Sequence, residues 1–295
     1  MRRKYVLMLL FFVALLLICG CSQKSAQRPN GKYTIATTFF PLYDITGKIA
    51  GEKAEVFSIV PAGAEPHDYE VSPYDLQRVA ESKAFVVLGV EFTQFEDKLV
   101  QAAGGNLEVI PAAKDVPLLD STDNVKDPHI WLSPNNVKVM VRNINEGLKK
   151  ADPKNADYYE QNAKKVIENL TMLDSKFKLA LSNCNKKLIL VTHNAYSYIG
   201  KDYGFKTIYI SGLDPESEPT PKQIKALVDA SKQNNIKYVF YEELVDPKIA
   251  RTIASEVGAQ TLELNPLEGS KNPSEDYFSM MRKNLINLKI AMECK

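Results

Sequence analysis

The sequence predicts an α/β protein of two lobes, each with a mainly parallel sheet and flanking helices, joined by one long rigid α-helix. Strand-like segments alternate with helix-like segments before residue 152 and again after residue 184, which is the pattern of parallel sheets whose strands are connected by helices. Between these two runs, residues 155–182 place apolar side chains in alternating steps of four and three, with no Pro or Gly, as on one face of an α-helix.

The long segment carries its own length and start signals. Its apolar positions are Tyr159, Ala163, Val166, Leu170, Leu173 and Phe177. Asp152 and Pro153 precede it, an N-cap candidate followed by Pro at the first helical position. At 1.5 Å per residue such a helix spans about 40 Å, which is more than the width of a small domain. We therefore expect it to hold two lobes at a fixed distance.

The first twenty residues predict a signal peptide. Three basic residues, 2–4, precede an apolar run, 5–18, that is short for a membrane span. The run ends in Ile-Cys-Gly-Cys-Ser, which resembles a bacterial lipobox, where Gly precedes a cysteine that is cleaved and lipidated. Cys21 fits this position better than Cys19, which follows a bulky Ile. We expect lipid on Cys21 to anchor the chain to the membrane through a tether, 21–31; ordinary secretion with a free cysteine is the alternative.

Charge and cysteine count limit the partners and the compartment. Removal of the first twenty residues takes three of the 37 basic residues and none of the 36 acidic ones, so 34 face 36 and the formal net charge changes from +1 to −2. No basic stripe with interleaved aromatic residues is present, and no nucleic-acid partner is expected. An even pair of cysteines in an exported chain, Cys184 and Cys294, predicts a disulfide. Two thiols too far apart to bridge are the alternative.

The predicted elements follow in order. The first lobe, 32–152, has strands at 33–37, 55–60, 84–88 and 107–110, and helices at 42–50, 72–82, 92–103 and 133–149. Ser-Pro pairs at 72–73 and 133–134 mark two of the helix starts. After the linking helix, 153–183, the second lobe, 184–295, has strands at 188–192, 207–210, 238–241 and 261–264. Its helices are expected at 195–203, 221–234, 247–257 and 277–292.

The chain has three histidines, and all lie at junctions between predicted elements. His67 lies in the loop after the second strand, His129 lies just before a helix start, and His193 directly follows the strand at 188–192. Open α/β sheets bind ligands at the carboxyl ends of their strands. A single histidine of this kind can be an ordinary loop residue, but the set of three indicates a ligand cluster. We expect the histidines to meet in the cleft between the lobes.

The segments around the histidines resemble those of the metal-binding lipoproteins that serve metal-uptake ABC transporters, the ZnuA and TroA type. They read Gly-Ala-Glu-Pro-His-Asp-Tyr-Glu (63–70), Asp-Pro-His-Ile-Trp-Leu-Ser-Pro (127–134) and Thr-His-Asn-Ala-Tyr-Ser-Tyr (192–198). Residues 213–221 and 265–269 also resemble that family, and the resemblance covers nearly the whole mature chain in order. It implies the same two-lobed fold with one long rigid helix. It also implies an extracytoplasmic solute-binding protein that delivers a divalent metal to a membrane permease.

The resemblance further implies four metal ligands, namely the three histidines and one acidic residue in the loop after the last strand. Glu268 stands in the Pro-Leu-Glu arrangement of zinc-type relatives. Asn265 occupies the place where manganese-type relatives have Asp. The fourth ligand could also be Asn265, through its carbonyl oxygen. Glu65 and Asp68 are further candidates for that place. Asp127 is either a hydrogen-bond partner of a ligand imidazole or part of an Asp-Pro turn.

Three imidazoles and one carboxylate suit tetrahedral zinc better than the oxygen-rich six-coordinate sites that manganese prefers. We therefore predict a zinc-binding transport lipoprotein of the zinc subgroup, with manganese or iron as the alternative cargo. An enzyme is not expected. A zinc hydrolase needs an open coordination position and a base, a role that Glu268 would then take, but no HExxH helix or nucleophile elbow is present. An adhesion lipoprotein, in which the histidines would have no metal-binding role, is an alternative of a different class.

Overall fold

The computed structural model describes residues 33–295, except for 91, 93–94, 106, 122–124, 216 and 218. The predicted signal peptide, the tether and Cys21 lie outside the described residues. Within the described part of the chain, no helix combines the length and apolar character needed to cross a membrane.

The first half of the described chain is built on a four-stranded parallel sheet. Its elements are β1 (Tyr33–Thr37), α1 (Phe40–Ala50), β2 (Ala54–Ser58), α2 (Pro73–Ala80), β3 (Ala84–Val87), α3 (Glu96–Ala103), β4 (Glu108–Pro111) and α4 (Pro134–Ala151). The strand order is β2-β1-β3-β4, and each neighbouring pair is parallel. All four strands therefore end at the same edge of the sheet.

The second half repeats this arrangement after the long helix α5 (Ala156–Leu181). Its elements are β5 (Leu188–His193), α6 (Ser197–Tyr203), β6 (Lys206–Ser211), α7 (Pro221–Gln233), β7 (Tyr238–Tyr241), α8 (Lys248–Val257), β8 (Gln260–Glu263) and α9 (Tyr277–Ala291). The strand order β6-β5-β7-β8 is again all parallel. The predicted fold class, two parallel-sheet α/β halves joined by one long helix, is confirmed.

Helix α5 has 26 residues and buries all six of its predicted apolar positions. They belong to one hydrophobic core that also contains Ile35 of β1 and Val191 of β5, so the helix packs against both halves. Its start differs from the prediction, because a 3₁₀ turn, Pro153–Asn155, precedes the α-helix. The Asp152 carboxylate accepts hydrogen bonds from the Tyr159 hydroxyl (2.7 Å) and the Asn155 side chain (2.6 Å), and does not cap the backbone.

The remaining helices show where capping chemistry and core packing set the ends. Ser72 caps α2 in a reciprocal capping box with Asp75, and Ser133 caps α4, as the two Ser-Pro signals indicate. Helix α3 begins at Glu96, four residues later than predicted. Phe92 lies before it and packs against Phe39, with ring centroids 4.9 Å apart, so its side chain contributes to the core outside the helix.

A disulfide joins Cys184 to Cys294, as predicted. The two residues are 110 apart in sequence. Cys184 lies three residues after the end of α5, and Cys294 lies three residues after the end of α9. The bond therefore closes the second half of the chain at its entrance and its exit.

Candidate metal site

The three histidines and Glu268 come together where strands of both sheets end. His67 lies in the loop after β2, His129 immediately precedes the 3₁₀ turn Ile130–Leu132, His193 is the last residue of β5, and Glu268 lies in the loop after β8. Each offers one ligand atom, and these four atoms lie within 4.8 Å of one another. The side chain of His67 is 10% exposed, and the other three are fully buried.

Four of the six distances between the donor atoms are close to the edge length of a tetrahedral zinc site. Oε1 of Glu268 lies 3.3 Å from Nε2 of His129, 3.5 Å from Nε2 of His67 and 3.6 Å from Nε2 of His193. Nε2 of His129 and Nε2 of His193 are 3.3 Å apart. Zinc bonds of about 2.0–2.1 Å in a tetrahedral site place neighbouring donors about 3.4 Å apart. The arrangement therefore fits a small tetrahedral cation.

Several of these atoms are buried without a hydrogen-bond partner. In the described part of the chain this holds for both carboxylate oxygens of Glu268 and for Nε2 of His67. Buried polar atoms in folded proteins are normally satisfied, and buried charges are paired or coordinate a metal. A cation at the centre of the cluster would satisfy these atoms together.

The buried charges strongly perturb one another. Burial disfavours a charged imidazole, but the carboxylates of Glu242 and Glu268 outweigh this and raise the pKa of His193 well above its usual value. Burial would raise the pKa of Glu268, yet the charge of His193 and the contacts with the other two histidines hold it well below its usual value. Burial, followed by repulsion from Glu268, raises the pKa of Glu65 to about 8. The cluster thus favours an ionised Glu268 whose charge is balanced by protonated imidazoles or by a bound cation.

Two further carboxylates hold the outer nitrogens of the buried imidazoles. Asp127 Oδ1 lies 2.8 Å from Nδ1 of His129 and also accepts the backbone N–H of that residue at 2.9 Å. Asp127 therefore forms both the imidazole contact and the local turn, the two roles between which the sequence did not decide. Glu242 Oε1 lies 2.7 Å from Nδ1 of His193. Sequence reasoning missed Glu242, although a carboxylate directly after the strand at 238–241 was a usable signal.

The loop that carries Glu268 is held in an unusual backbone conformation. Leu267 has φ of +61°, which costs a non-glycine residue about 1–3 kcal/mol, and its side chain is buried. The amide oxygen of Asn265 accepts the backbone N–H of Leu267 at 2.7 Å, and its amide nitrogen donates to Glu243 at 3.0 Å. Both ends of the Asn265 amide are therefore used to shape the loop, and Glu268 alone of these residues reaches the histidines.

Glu65 and Asp68, which the sequence also allowed as the fourth ligand, do not join the cluster. The side-chain oxygen Oε1 of Glu65 accepts the backbone N–H of His67 at 3.2 Å, so this carboxylate braces the loop next to the cluster. Asp68 is exposed. Neither belongs to the group of ligand atoms that the structure brings together.

Comparison with known proteins places this chain in a family. The family model described as "ZnuA: Zinc-uptake complex component A periplasmic" matches residues 35–291. The chain belongs to this family. The resemblance drawn from the sequence is therefore confirmed, and the ZnuA-family fold accounts for the two parallel-sheet halves and the long helix.

Individual ZnuA-type proteins are similar over most of the chain. The "High-affinity zinc uptake system protein ZnuA" of Bacillus subtilis (strain 168) is 32% identical over 97% of this chain and 98% of its own length. The "Zinc-binding lipoprotein AdcA" of Streptococcus pneumoniae serotype 4 is 33% identical, and this chain spans 60% of that longer protein. The crystal structure of the Zn(II)-bound ZnuA-like domain of Streptococcus pneumoniae AdcA superimposes with a TM-score of 0.80. It is 34% identical, and the match covers 89% of this chain and 100% of that domain.

Proposed function

We propose that this protein is the extracytoplasmic zinc-binding component of an ABC-type metal-uptake system. His67, His129, His193 and Glu268 would bind one Zn²⁺, and the loaded protein would deliver it to a membrane permease. One observation carries the proposal: four donor atoms from both halves converge at near-tetrahedral spacing, and among the described residues neither oxygen of the buried Glu268 has a hydrogen-bond partner. Membership in the family of zinc-uptake component A supports the same function.

The placement in the cell is part of the same proposal. Residues 1–20 would be the lipoprotein signal peptide, and lipid on Cys21 would anchor the mature chain through the tether at 21–31. The two halves would act as lobes, 32–152 and 184–295, on either side of the linking helix at 153–183. The lipoprotein name of the pneumococcal relative supports an anchored form.

Zinc is favoured over manganese or iron by the chemistry of the donors. Three of the four donor atoms are imidazole nitrogens, and the fourth is a carboxylate oxygen of Glu268. This oxygen lies within 3.6 Å of all three nitrogens, which is a suitable position for a ligand of the same cation. A hydrolase would need that carboxylate to be displaced from the cation so that it could activate water. Transport of a bound cation is therefore the function that we propose, and catalysis is not part of it.

A metal competition experiment tests the cargo. Chelator-stripped mature protein is dialysed against equal concentrations of zinc and manganese, and the bound metals are counted. We expect one zinc per chain and little manganese. In His193→Glu an oxygen replaces a nitrogen, so the preference should shift towards manganese. Wild-type protein that retains manganese as readily as zinc would overturn the donor assignment, and protein that retains neither would overturn the function.

A further inference from the structure

Glu242 contacts a proposed ligand from the side that faces away from the cluster. It directly follows β7, and β7 lies beside β5 in the sheet, so the fold brings Glu242 to His193 across 49 residues of sequence. The Glu242 side chain is 2% exposed. We propose that Glu242 is a positioning residue that fixes the His193 imidazole for zinc and supplies charge that a divalent cation balances. This inference rests on the proposed function.

The hydrogen bonds that Glu242 accepts determine which ring nitrogen of His193 carries the proton. Oε1 of Glu242 accepts from Nδ1 of His193 at 2.7 Å, from the His193 backbone N–H at 3.3 Å, and from the hydroxyl of Thr192. A carboxylate only accepts hydrogen bonds, so a neutral His193 must carry its proton on Nδ1. The lone pair of Nε2 then points towards Glu268 and His129, where a metal can use it. The opposite tautomer would place a proton on the ligand atom.

The charge of Glu242 also bears on which cation the cluster favours. With three neutral imidazoles, the carboxylate of Glu268 leaves a bound divalent ion at +1. The carboxylates of Asp127 and Glu242 are both buried, and among the described residues neither forms an ion pair with Lys or Arg. A buried carboxylate without a cation is destabilising. Counting both changes the balance from +1 to −1, so these residues favour a doubly charged cargo over a monovalent ion.

Glu242 differs from Asp127 in what it fixes. Asp127 is two residues from His129, so its contact with the His129 imidazole depends only on the local backbone turn. Glu242 comes from a neighbouring strand and holds both the backbone and the ring of His193. The direction of the His193 lone pair therefore depends on the pairing of β7 with β5, and the sheet itself orients the ligand.

Three substitutions separate orientation from charge. Glu242→Gln keeps an oxygen that can accept all three hydrogen bonds but removes the charge, and Glu242→Ala removes both. Loss of a carboxylate behind a ligand histidine commonly weakens metal binding about 10- to 100-fold. We expect the zinc Kd to rise about 10-fold in Glu242→Gln and about 100-fold in Glu242→Ala. Glu242→Asp should recover part of the loss, because it restores the charge on a shorter side chain.

Glu96 offers a matched control. It is also buried, and its carboxylate accepts from the Thr38 hydroxyl (2.7 Å) and from the backbone N–H groups of Leu88 (2.8 Å) and Gly89 (3.1 Å) at the end of β3. It thus makes the same kind of strand-end contact without an imidazole. Glu96→Gln should keep wild-type zinc affinity. Equal losses of affinity in Glu96→Gln and Glu242→Gln would mean a general folding effect and would overturn the proposal.

A metal-free measurement tests the orientation directly. Protein labelled with ¹⁵N-histidine is studied by NMR at a pH where the His193 imidazole is neutral. We expect the proton on Nδ1 in wild type and a shift towards Nε2 in Glu242→Ala. An unchanged tautomer together with unchanged zinc affinity would overturn the role of Glu242. Failure of the wild-type protein to bind zinc would instead overturn the proposed function, and the tautomer would still report on Glu242.

Discussion

Trp131 of the first half donates a hydrogen bond from its indole nitrogen to the backbone carbonyl of Pro266 in the second half, at 2.7 Å. Both residues are buried, and the Trp131 carbonyl in turn accepts from the hydroxyl of Tyr277 at 2.9 Å. Trp131 lies two residues after His129, and Pro266 lies two residues before Glu268. The bond therefore connects the segment of His129, a proposed ligand, with the loop that carries Glu268, the acidic member of the cluster.

Replacement of Trp131 by Phe should test this connection. The substitution leaves the buried carbonyl of Pro266 without a donor, at a cost of about 1–3 kcal/mol. We expect urea unfolding to show a loss of stability in that range and zinc binding to weaken, because the Glu268 loop loses a fixed contact. Phe39→Leu, which changes the same aromatic cluster without removing the hydrogen bond, is the control. Equal zinc affinities for Trp131→Phe and wild type would show that the loop does not need this bond.

The perturbed pKa values predict how zinc changes the pH dependence of stability. The pKa of His193 is raised on folding, so its contribution to metal-free stability is complete below about pH 6.5 and is lost as the pH rises through the folded pKa. The pKa of Glu268 is lowered, so its contribution is present above about pH 4.5 and is lost as the pH falls through its folded value. The free energy of unfolding of the metal-free protein should therefore decrease as the pH rises above neutral.

Zinc replaces the imidazole proton, so its stabilising effect should grow in the same range. We expect the difference in Tm between zinc-loaded and metal-free protein to increase from about pH 5.5 to about pH 8, and about one proton to be released per zinc near neutral pH. Thermal scans and calorimetry in buffers of different ionisation enthalpy measure the two quantities. A constant Tm difference with no proton release would contradict a histidine site that is protonated before metal binds.

The disulfide should contribute to the stability of the folded protein. In the chain-entropy model, closing a loop of 110 residues contributes about 4–5 kcal/mol, an upper figure because measured bridges often give less. Cys184→Ser with Cys294→Ser should lower the free energy of unfolding by up to this amount. Zinc affinity should change little, because neither cysteine belongs to the group of ligand atoms. Mass spectrometry without reduction should find the two peptides linked, and alkylatable thiols in oxidised protein would contradict the bridge.

Hydrogen exchange tests whether zinc acts on loops or on the long helix. The loops at 61–69 and 265–272 should become protected from exchange on zinc binding, because they hold His67 and Glu268, two of the proposed ligands. Helix α5 should change little, since its apolar face is packed into one core with both halves. Strong metal-dependent deprotection along α5 would show that this helix acts as a hinge and does not hold the two halves rigidly.

The sequence predicted those parts of the structure that depend on local pattern. The apolar spacing of α5 identifies its length and its buried face, because one side of a helix is visible in the order of residues. Strand ends identify His67 and His193, because parallel strands end at one edge. The start of α3 was wrong because Phe92 packs into the core before the helix begins, which is a tertiary contact that local periodicity does not encode.

The rest of the site depends on strand order, which the sequence does not state. Glu242 reaches His193 only because β7 is placed beside β5. The distinct uses of Asn265 and Glu268, three residues apart in one loop, depend on the positive φ of Leu267 and on the hydrogen bond that Asn265 accepts from its backbone N–H. Both are consequences of the folded backbone, and the resemblance in sequence left Asn265 and Glu268 as competing candidates.

The disulfide also determines what a single proteolytic cut can separate. Residues 184–294 form a covalent ring, and both His193 and Glu268 lie inside it. A single cut anywhere between the two cysteines opens the ring but leaves every fragment attached, so the two second-half donors stay on one molecule. A cut between His67 and His129 falls outside this ring. The two histidines would then lie on separate fragments that only packing holds together. A single proteolytic cut should therefore disrupt the first-half side of the candidate metal site more than the second-half side.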